Sequence, residues 1–308
     1  MNRKNLFAHD SVYKNLDFSE DLSGFLGKSE TSFSEFPISP SHKFVLLNTG
    51  RCGSTLLHTM MLPFVRPPYE VFNPLAIGPI VEKIQTSGPV PLDVFLQSYM
   101  RVVYPEHGNI TKDLLFSLSV TPWVLGGVER LNPGFSRWLL HDAIIVILLR
   151  KDILQQAISY TLADQSGFWH SMNGEASENR IDGSGISRTK ILEYLDLILW
   201  GERQIFTAPL RGAIRSARRV CMIDYETLAA KPESVCLRIL KMLGVVTTRP
   251  KIKMAADIPS RISYDFDMNE LRRSYKDEMP IVLPSRFQID KSILSSRRRT
   301  YRAQARAG

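Results

Sequence analysis

Three groups of residues in this chain have the types and spacing to do chemistry. The hexapeptide Gly50-Arg51-Cys52-Gly53-Ser54-Thr55 follows the apolar run Phe44 to Leu47 and opens a stretch of helical character through Met61. Two glycines let the backbone turn, and the unpaired N–H groups and dipole of a helix start attract an anion. Arg51 adds a cation, and Ser54 and Thr55 add hydroxyls, so the segment reads as a cradle for a phosphate or a phosphosulfate; the plainer alternative is an ordinary strand-to-helix turn. Arg150 closes a second apolar run, Ala143 to Leu149, and Ser159 follows nine residues later on a helix that Asp152 can cap, so the two can face one cleft. Glu70 lies in the short extended segment Tyr69 to Pro74, which places a carboxylate soon after the cradle's helix.

The elements that must position these groups follow from hydrophobic periodicity. Phe44 to Leu47 and Ala143 to Leu149 are continuous apolar runs of buried-strand type, Arg219 to Asp224 is a further strand, and Leu114 to Phe116, after Lys112, is a strand or buried segment. Helices are expected over 75–104, over 190–206, and from about Glu226 to Leu243, where Gly244 closes the last one; Asn132-Pro133-Gly134 is a turn and 171–187 a long polar loop. Strands alternating with helices predict an α/β fold of three layers, a central, mainly parallel sheet flanked by helices, with the ligand at the carboxyl ends of the strands. Residues 1–40 read as an N-terminal extension that wraps the domain or stays loose, 41–296 as one domain, and 297–308 as a basic, disordered tail.

Composition narrows the function. With 308 residues, 44% hydrophobic and 23% charged, the chain has the balance of a globular protein. The net charge of +8 hints at nucleic acid, but the five arginines of residues 297–308 carry five of those charges and leave +3 for the rest. No nucleic-acid partner is expected; the tail could make a weak contact with an anionic membrane surface, but a solvated end is the plainer and preferred reading. The three cysteines, Cys52, Cys221 and Cys236, have neither disulfide-framework nor zinc-ligand spacing, and the amino terminus lacks the apolar core of a signal peptide. A cytoplasmic protein is the resulting expectation.

The cradle differs from that of a nucleoside triphosphatase. The GxxxxGK[ST] loop carries a lysine for the terminal phosphates and a hydroxyl for magnesium; here the spacing is shorter and no lysine precedes Ser54. Asp224 could serve a metal, although as a helix N-cap with Glu226 in the first turn it has a structural role at hand. No metal site is expected.

Taken in order, Arg51-Cys-Gly-Ser-Thr-Leu-Leu57, Pro68-Tyr-Glu-Val-Phe72 and Leu149-Arg-Lys-Asp-Ile-Leu-Gln-Gln-Ala-Ile-Ser159, continuing through Ala163 to His170, resemble bacterial sulfotransferases of the trehalose sulfotransferase type, related to lipopolysaccharide and Nod-factor sulfotransferases. The resemblance spans roughly residues 43–245. It implies a P-loop-like fold and the donor 3′-phosphoadenosine 5′-phosphosulfate (PAPS). By the same resemblance, Arg51, Cys52, Gly53, Ser54 and Thr55 would hold the 5′-phosphosulfate, Arg150 and Ser159 the 3′-phosphate, and Glu70 would be the general base. A homodimer is also what it suggests. Cys52 departs from the Ser or Thr common at its position, and the polar loop after His170 does not align.

Sulfuryl transfer to an alcohol suits these residues on chemical grounds too. It needs in-line alignment, stabilisation of charge on the sulfuryl and leaving-phosphate oxygens, and removal of the hydroxyl proton, which Arg51 with the helix start and Glu70 would supply. The acceptor expected is a hydroxyl of a carbohydrate or glycolipid. Lys112, Trp169 and His170 are candidates for substrate contact and His58 for a place near the acceptor, each with an ordinary alternative as a solvated, core, loop or packed helix residue. Two other readings stay open: a P-loop kinase acting on a small molecule, and a non-catalytic nucleotide-binding scaffold.

Overall fold

The computed structural model describes residues 22–30, 42–62, 64, 70–72, 77–78, 81–82, 84, 88–103, 115–166, 186–206 and 208–245. Lys112, Trp169, His170, the loop over 171–185, the ends of the chain and the region beyond 245 lie outside them. The chain divides into two compact units, 1–181 with 185–263, and 182–184 with 264–308, and every described residue belongs to the first.

Four parallel strands form the centre: β2 (His42–Asn48), β4 (Leu115–Val120), β5 (Ile144–Leu149) and β6 (Arg219–Asp224), in the order β4-β2-β5-β6. The register pairs Phe44 with Ser117 on one side and with Ile144 on the other, and Leu149 with Asp224. Side chains alternate along β2. Val45 and Leu47 join Phe116, Leu118, Ile145 and Ile147 in one core, whereas Phe44 and Leu46 join Val146, Leu148, Cys221 and Ile223 in another. A period of two thus builds a core on each face of the sheet, which is why the strands read as unbroken apolar runs.

Helices cover both faces. The first core is closed by α2 (Leu92–Val103), α3 (Pro122–Leu131) and α4 (Phe135–Leu140), the second by α1 (Ser54–Met61), α8 (Tyr225–Ala230) and α9 (Pro232–Leu243). Between β5 and β6 run α5 (Ile153–Ser166), α6 (Arg188–Phe206) and α7 (Ala208–Arg215), with α5 packed on α6. This is the expected α/β sandwich of three layers. Among the described residues no helix is long and apolar enough to cross a membrane.

Two helices differ from the sequence reading, each because of proline. The single helix expected over 75–104 is interrupted at Gly88-Pro89-Val90-Pro91, where β3 (Val90–Pro91) pairs in parallel with β1 (Leu26–Gly27). Pro91 biases Val90 toward extended backbone, and α2 starts afresh at Leu92. The helix expected from Glu226 to Leu243 is α8 and α9, separated at Lys231 (φ −139°, ψ 55°), because Pro232 takes the preceding residue out of helical geometry. Within the N-terminal stretch, Leu22 and Leu26 are buried in the first core, Ser29 N donates to Asn132 Oδ1 (2.6 Å) and Asn132 Nδ2 donates to Gly27 O.

The connectivity sets one end of the sheet apart. From β2 the chain moves to β4 on one side, whereas from β5 it moves to β6 on the other. The carboxyl ends of β2 and β5 are therefore a topological switch point, the place where open α/β sheets bind ligands. The loops after those two strands carry Arg51 and Arg150.

Candidate functional site

The loop Thr49 to Gly53 bends through left-handed backbone three times, at Gly50 (φ 66°), Arg51 (φ 47°) and Gly53 (φ 91°). Arg51 carries a side chain there, a costly conformation that its surroundings must hold in place. Buried Asn48 begins the constraint: its Oδ1 accepts from Gly50 N (2.8 Å) and its Nδ2 donates to Ser119 Oγ on β4 (3.0 Å). Gly53 caps α1, and Leu57 N donates back to Gly53 O, so the N–H groups of Ser54, Thr55 and Leu56 stand at the head of the helix, ahead of that bond.

Arg51 and the residues after β5 meet at this loop. Arg51 Nε donates to Ser159 Oγ (3.0 Å), and Arg150 Nη1 donates to Arg51 O (3.3 Å). Arg150 is nearly buried, its guanidinium 4.6 Å from the centre of the Tyr225 ring. The same ring lies against Gly53, where an added Cβ would come within 2.6 Å of Tyr225 Cδ2. Tyr225 thereby supports both the cation and the turn, a cation–π contact on one side and close backbone approach on the other.

The turn that carries Arg150 is itself held. Glu226 accepts from Lys151 N and Asp152 N with its two oxygens (both 3.1 Å), Asp152 Oδ1 accepts from Gln155 N as the cap of α5, and Lys151 pairs with Asp224 (3.1 Å). Asp224 also caps α8 through Thr227 N (2.7 Å). Burial pulls the Asp224 carboxyl upward, yet the Thr227 bonds and Lys151 outweigh it and hold it below the usual value. With both interactions in place, Asp224 does structural work, as the capping alternative expected.

Of the other sequence candidates, Cys52 is fully buried with its thiol toward Asn48 Oδ1, so only its backbone is available to a ligand. Burial, reinforced by the Glu70 charge and opposed by Thr49 and Arg150, pushes that thiol up to about 12. Ser54 is buried and Thr55 half-buried at the head of α1. Half-buried Glu70 lies within electrostatic reach of the cradle: its charge raises both the Cys52 thiol and the Tyr160 phenol. His58 sits half-buried one turn along α1. Lys112, Trp169 and His170 are among the residues not described, and among the described residues no cluster of His, Cys, Asp and Glu could hold a metal ion.

Sequence reasoning missed Tyr225 as a support, Glu226 as a clamp on the β5–α5 turn, and the pair Gln156 and Tyr160, which grip the cradle from α5. Local spacing gave one faint signal: Gln156, Ser159 and Tyr160 are three and four residues apart, and so share one helix face.

No protein-family model and no curated protein matches the chain. Among solved structures, it is similar to the sulfotransferase domain from the curacin biosynthetic pathway (16% identity, 83% of this chain and 98% of that one, TM-score 0.43). It is likewise similar to the sulfotransferase domain from the Synechococcus PCC 7002 olefin synthase (14%, 87% and 98%, TM-score 0.45) and to mouse sulfotransferase SULT7A1 complexed with PAP (10%, 76% and 66%, TM-score 0.33).

Proposed function

We propose that the chain is a sulfotransferase that moves the sulfuryl group of PAPS to a hydroxyl of a carbohydrate or glycolipid. The observation that carries the reading is the convergence of two arginines and a serine on one anion-type loop: Arg51 bonded to Ser159 at 3.0 Å and Arg150 bonded to the Arg51 carbonyl at 3.3 Å. A single phosphate cradle needs only the helix start and one cation. A second arginine backed by an aromatic ring and a hydroxyl from the next helix suit a ligand with two anionic groups. PAPS has a phosphosulfate at its 5′ end and a phosphate at its 3′ position. The sequence resemblance assigns the first to the cradle and the second to Arg150 and Ser159.

In this reading Arg51 and the N–H groups heading α1 stabilise charge that gathers on the sulfuryl and leaving oxygens. Glu70 takes the acceptor's hydroxyl proton as the new O–S bond forms and the bond from sulfur to the phosphate oxygen breaks. Two features disfavour the kinase alternative: the cradle lacks a lysine before Ser54, and Asp224 is committed to Lys151 and Thr227.

Thermal shift followed by turnover tests the proposal. 3′-Phosphoadenosine 5′-phosphate is expected to raise the melting temperature, and labelled PAPS with a panel of sugars and glycolipids is expected to yield a sulfated product. Stabilisation by ATP with magnesium and none by the bisphosphate nucleotide would overturn it.

A further inference from the structure

We infer that Gln156 and Tyr160 are positioning residues that hold the anion loop in its binding shape, by giving its inward-turned carbonyls the hydrogen bonds they would otherwise lack. A loop that turns its N–H groups toward an anion must turn its carbonyls the other way, into the protein. Each carbonyl left there without a donor costs free energy. Gln156 Nε2 donates to Gly50 O (2.6 Å), and lies 3.3 Å from Thr49 O and 3.0 Å from Thr49 Oγ1. Tyr160 Oη donates to Thr49 O (3.2 Å). Reversing the amide would set Gln156 Oε1 against two carbonyl oxygens, so the orientation follows from the bonding.

Shape adds to the bonding. An added Cβ at Gly50 would lie 1.6 Å from Tyr160 Oη and 2.6 Å from its Cζ, so phenol and loop occupy adjoining space with none to spare. The Tyr160 ring is backed by Tyr194 on α6, stacked at 4.9 Å and 10°. Gln156 is fully buried and Tyr160 nearly so. The two residues flank Ser159 on α5, so one helix face both grips the loop from behind and offers a hydroxyl to Arg51 in front. That coupling makes loop geometry and the second anion position depend on one rigid element, which is how preorganised donors stay aimed without cost at the moment of binding.

The inference rests on the donor-site reading for its nucleotide probe, and inorganic pyrophosphate serves as a second probe that does not. Calorimetric titration of wild type, Gln156→Glu and Tyr160→Phe with 3′-phosphoadenosine 5′-phosphate and with pyrophosphate, between about pH 5 and pH 8, reads it out. Gln156→Glu replaces the donor by an acceptor. At about pH 8 its affinity is expected to fall at least tenfold, and to recover toward wild type at low pH, where the buried carboxyl is protonated and donates again. Glu70, Arg51, Arg150 and Cys52 surround the site in every variant, and comparison with the wild-type profile removes the pH dependence that is common to all of them. Tyr160→Phe, which keeps the ring, is expected to bind both probes a few-fold more weakly at every pH, and it decides the question if Gln156→Glu has no cooperative melt.

Wild-type affinity in a folded Tyr160→Phe, or a Gln156→Glu whose affinity loss has no pH dependence, overturns the inference. A wild type that binds pyrophosphate but not the nucleotide overturns the donor reading alone, and the variants are then read on pyrophosphate. One that binds neither overturns both.

Discussion

Arg51 Nε donates to Ser159 Oγ across 3.0 Å, joining two residues 108 positions apart. The bond ties a loop in left-handed backbone to the face of α5 and sets a cation beside the hydroxyl proposed to receive a phosphate. Ser159→Ala removes the acceptor and leaves the helix intact. The nucleotide affinity is expected to fall by roughly tenfold, the worth of one charge-assisted hydrogen bond, with Ser159→Thr recovering part of it by calorimetry. Equal affinity in Ser159→Ala would separate this hydroxyl from the ligand.

Arg150 calls for a guanidinium rather than any cation. Its fork reaches the Arg51 carbonyl while its plane sits 4.6 Å from the Tyr225 ring centre. Arg150→Lys keeps the charge and loses both geometries, so it is expected to weaken the bisphosphate nucleotide by about ten- to a hundredfold, nearly as much as Arg150→Ala. Titration of the three proteins side by side measures this. Full binding by the lysine variant would reduce the role of Arg150 to charge.

Much of this architecture was legible in the sequence because it is local. Phe44 to Leu47 and Ile144 to Leu149 are buried on both faces, so they could not be anything but apolar, and the Gly, Arg and Ser of the cradle stand next to one another. What escaped is what acts at a distance. Gln156 meets Gly50 across 106 positions, and Glu226 meets Lys151 across 75; beyond the shared helix face of Gln156, Ser159 and Tyr160, nothing local marks either contact, since a polar residue on a helix is ordinarily solvated. Strands β1 and β3 have two residues each, too short for any period, and only the pairing of Leu26 with Val90 and Gly27 with Pro91 creates them.

Glycine positions separate the tight places from the open ones. Gly50→Ala, at φ 66° and with Tyr160 Oη 1.6 Å from the new methyl, is expected to destabilise the fold by about 2 kcal/mol or more and to abolish anion binding. Gly126, inside α3 with nothing within 4 Å of a new Cβ, is the control: Gly126→Ala is expected to stabilise by about 0.5–1 kcal/mol. Urea melts of both variants check the pair, and a neutral Gly50→Ala would show that the loop is not held as described.

Glu70 separates chemistry from binding. If it takes the acceptor proton, Glu70→Gln is expected to lower kcat by roughly 10²–10⁴-fold while leaving the affinity for the bisphosphate nucleotide within a few-fold of wild type. Single-turnover assays with labelled PAPS, once an acceptor is in hand, measure the first quantity, and calorimetry the second. An unchanged kcat would move the base elsewhere.

Lys43, at the start of β2 and away from the cradle, carries the last prediction. Its ammonium donates to Trp138 O and lies 5.3 Å from that ring's centre. Burial lowers its pKa to about 8 from 10.5, with Asp142 opposing. Between those two values the unfolded chain binds the proton more tightly than the folded one, so the Lys43 contribution to stability rises as pH rises through that window. The wild-type curve alone hides this rise. Buried Cys52 and Cys236 and the Tyr160 and Tyr194 phenols all have raised values, and each loses stability as pH rises above its ordinary pKa. The difference between wild type and Lys43→Met cancels those groups. It is expected to shift in favour of wild type by on the order of 1–2 kcal/mol between about pH 8 and pH 10, after allowance for solvent screening of a half-buried side chain. A difference that stays flat across the window would mean that Lys43 keeps its ordinary affinity for the proton despite its burial.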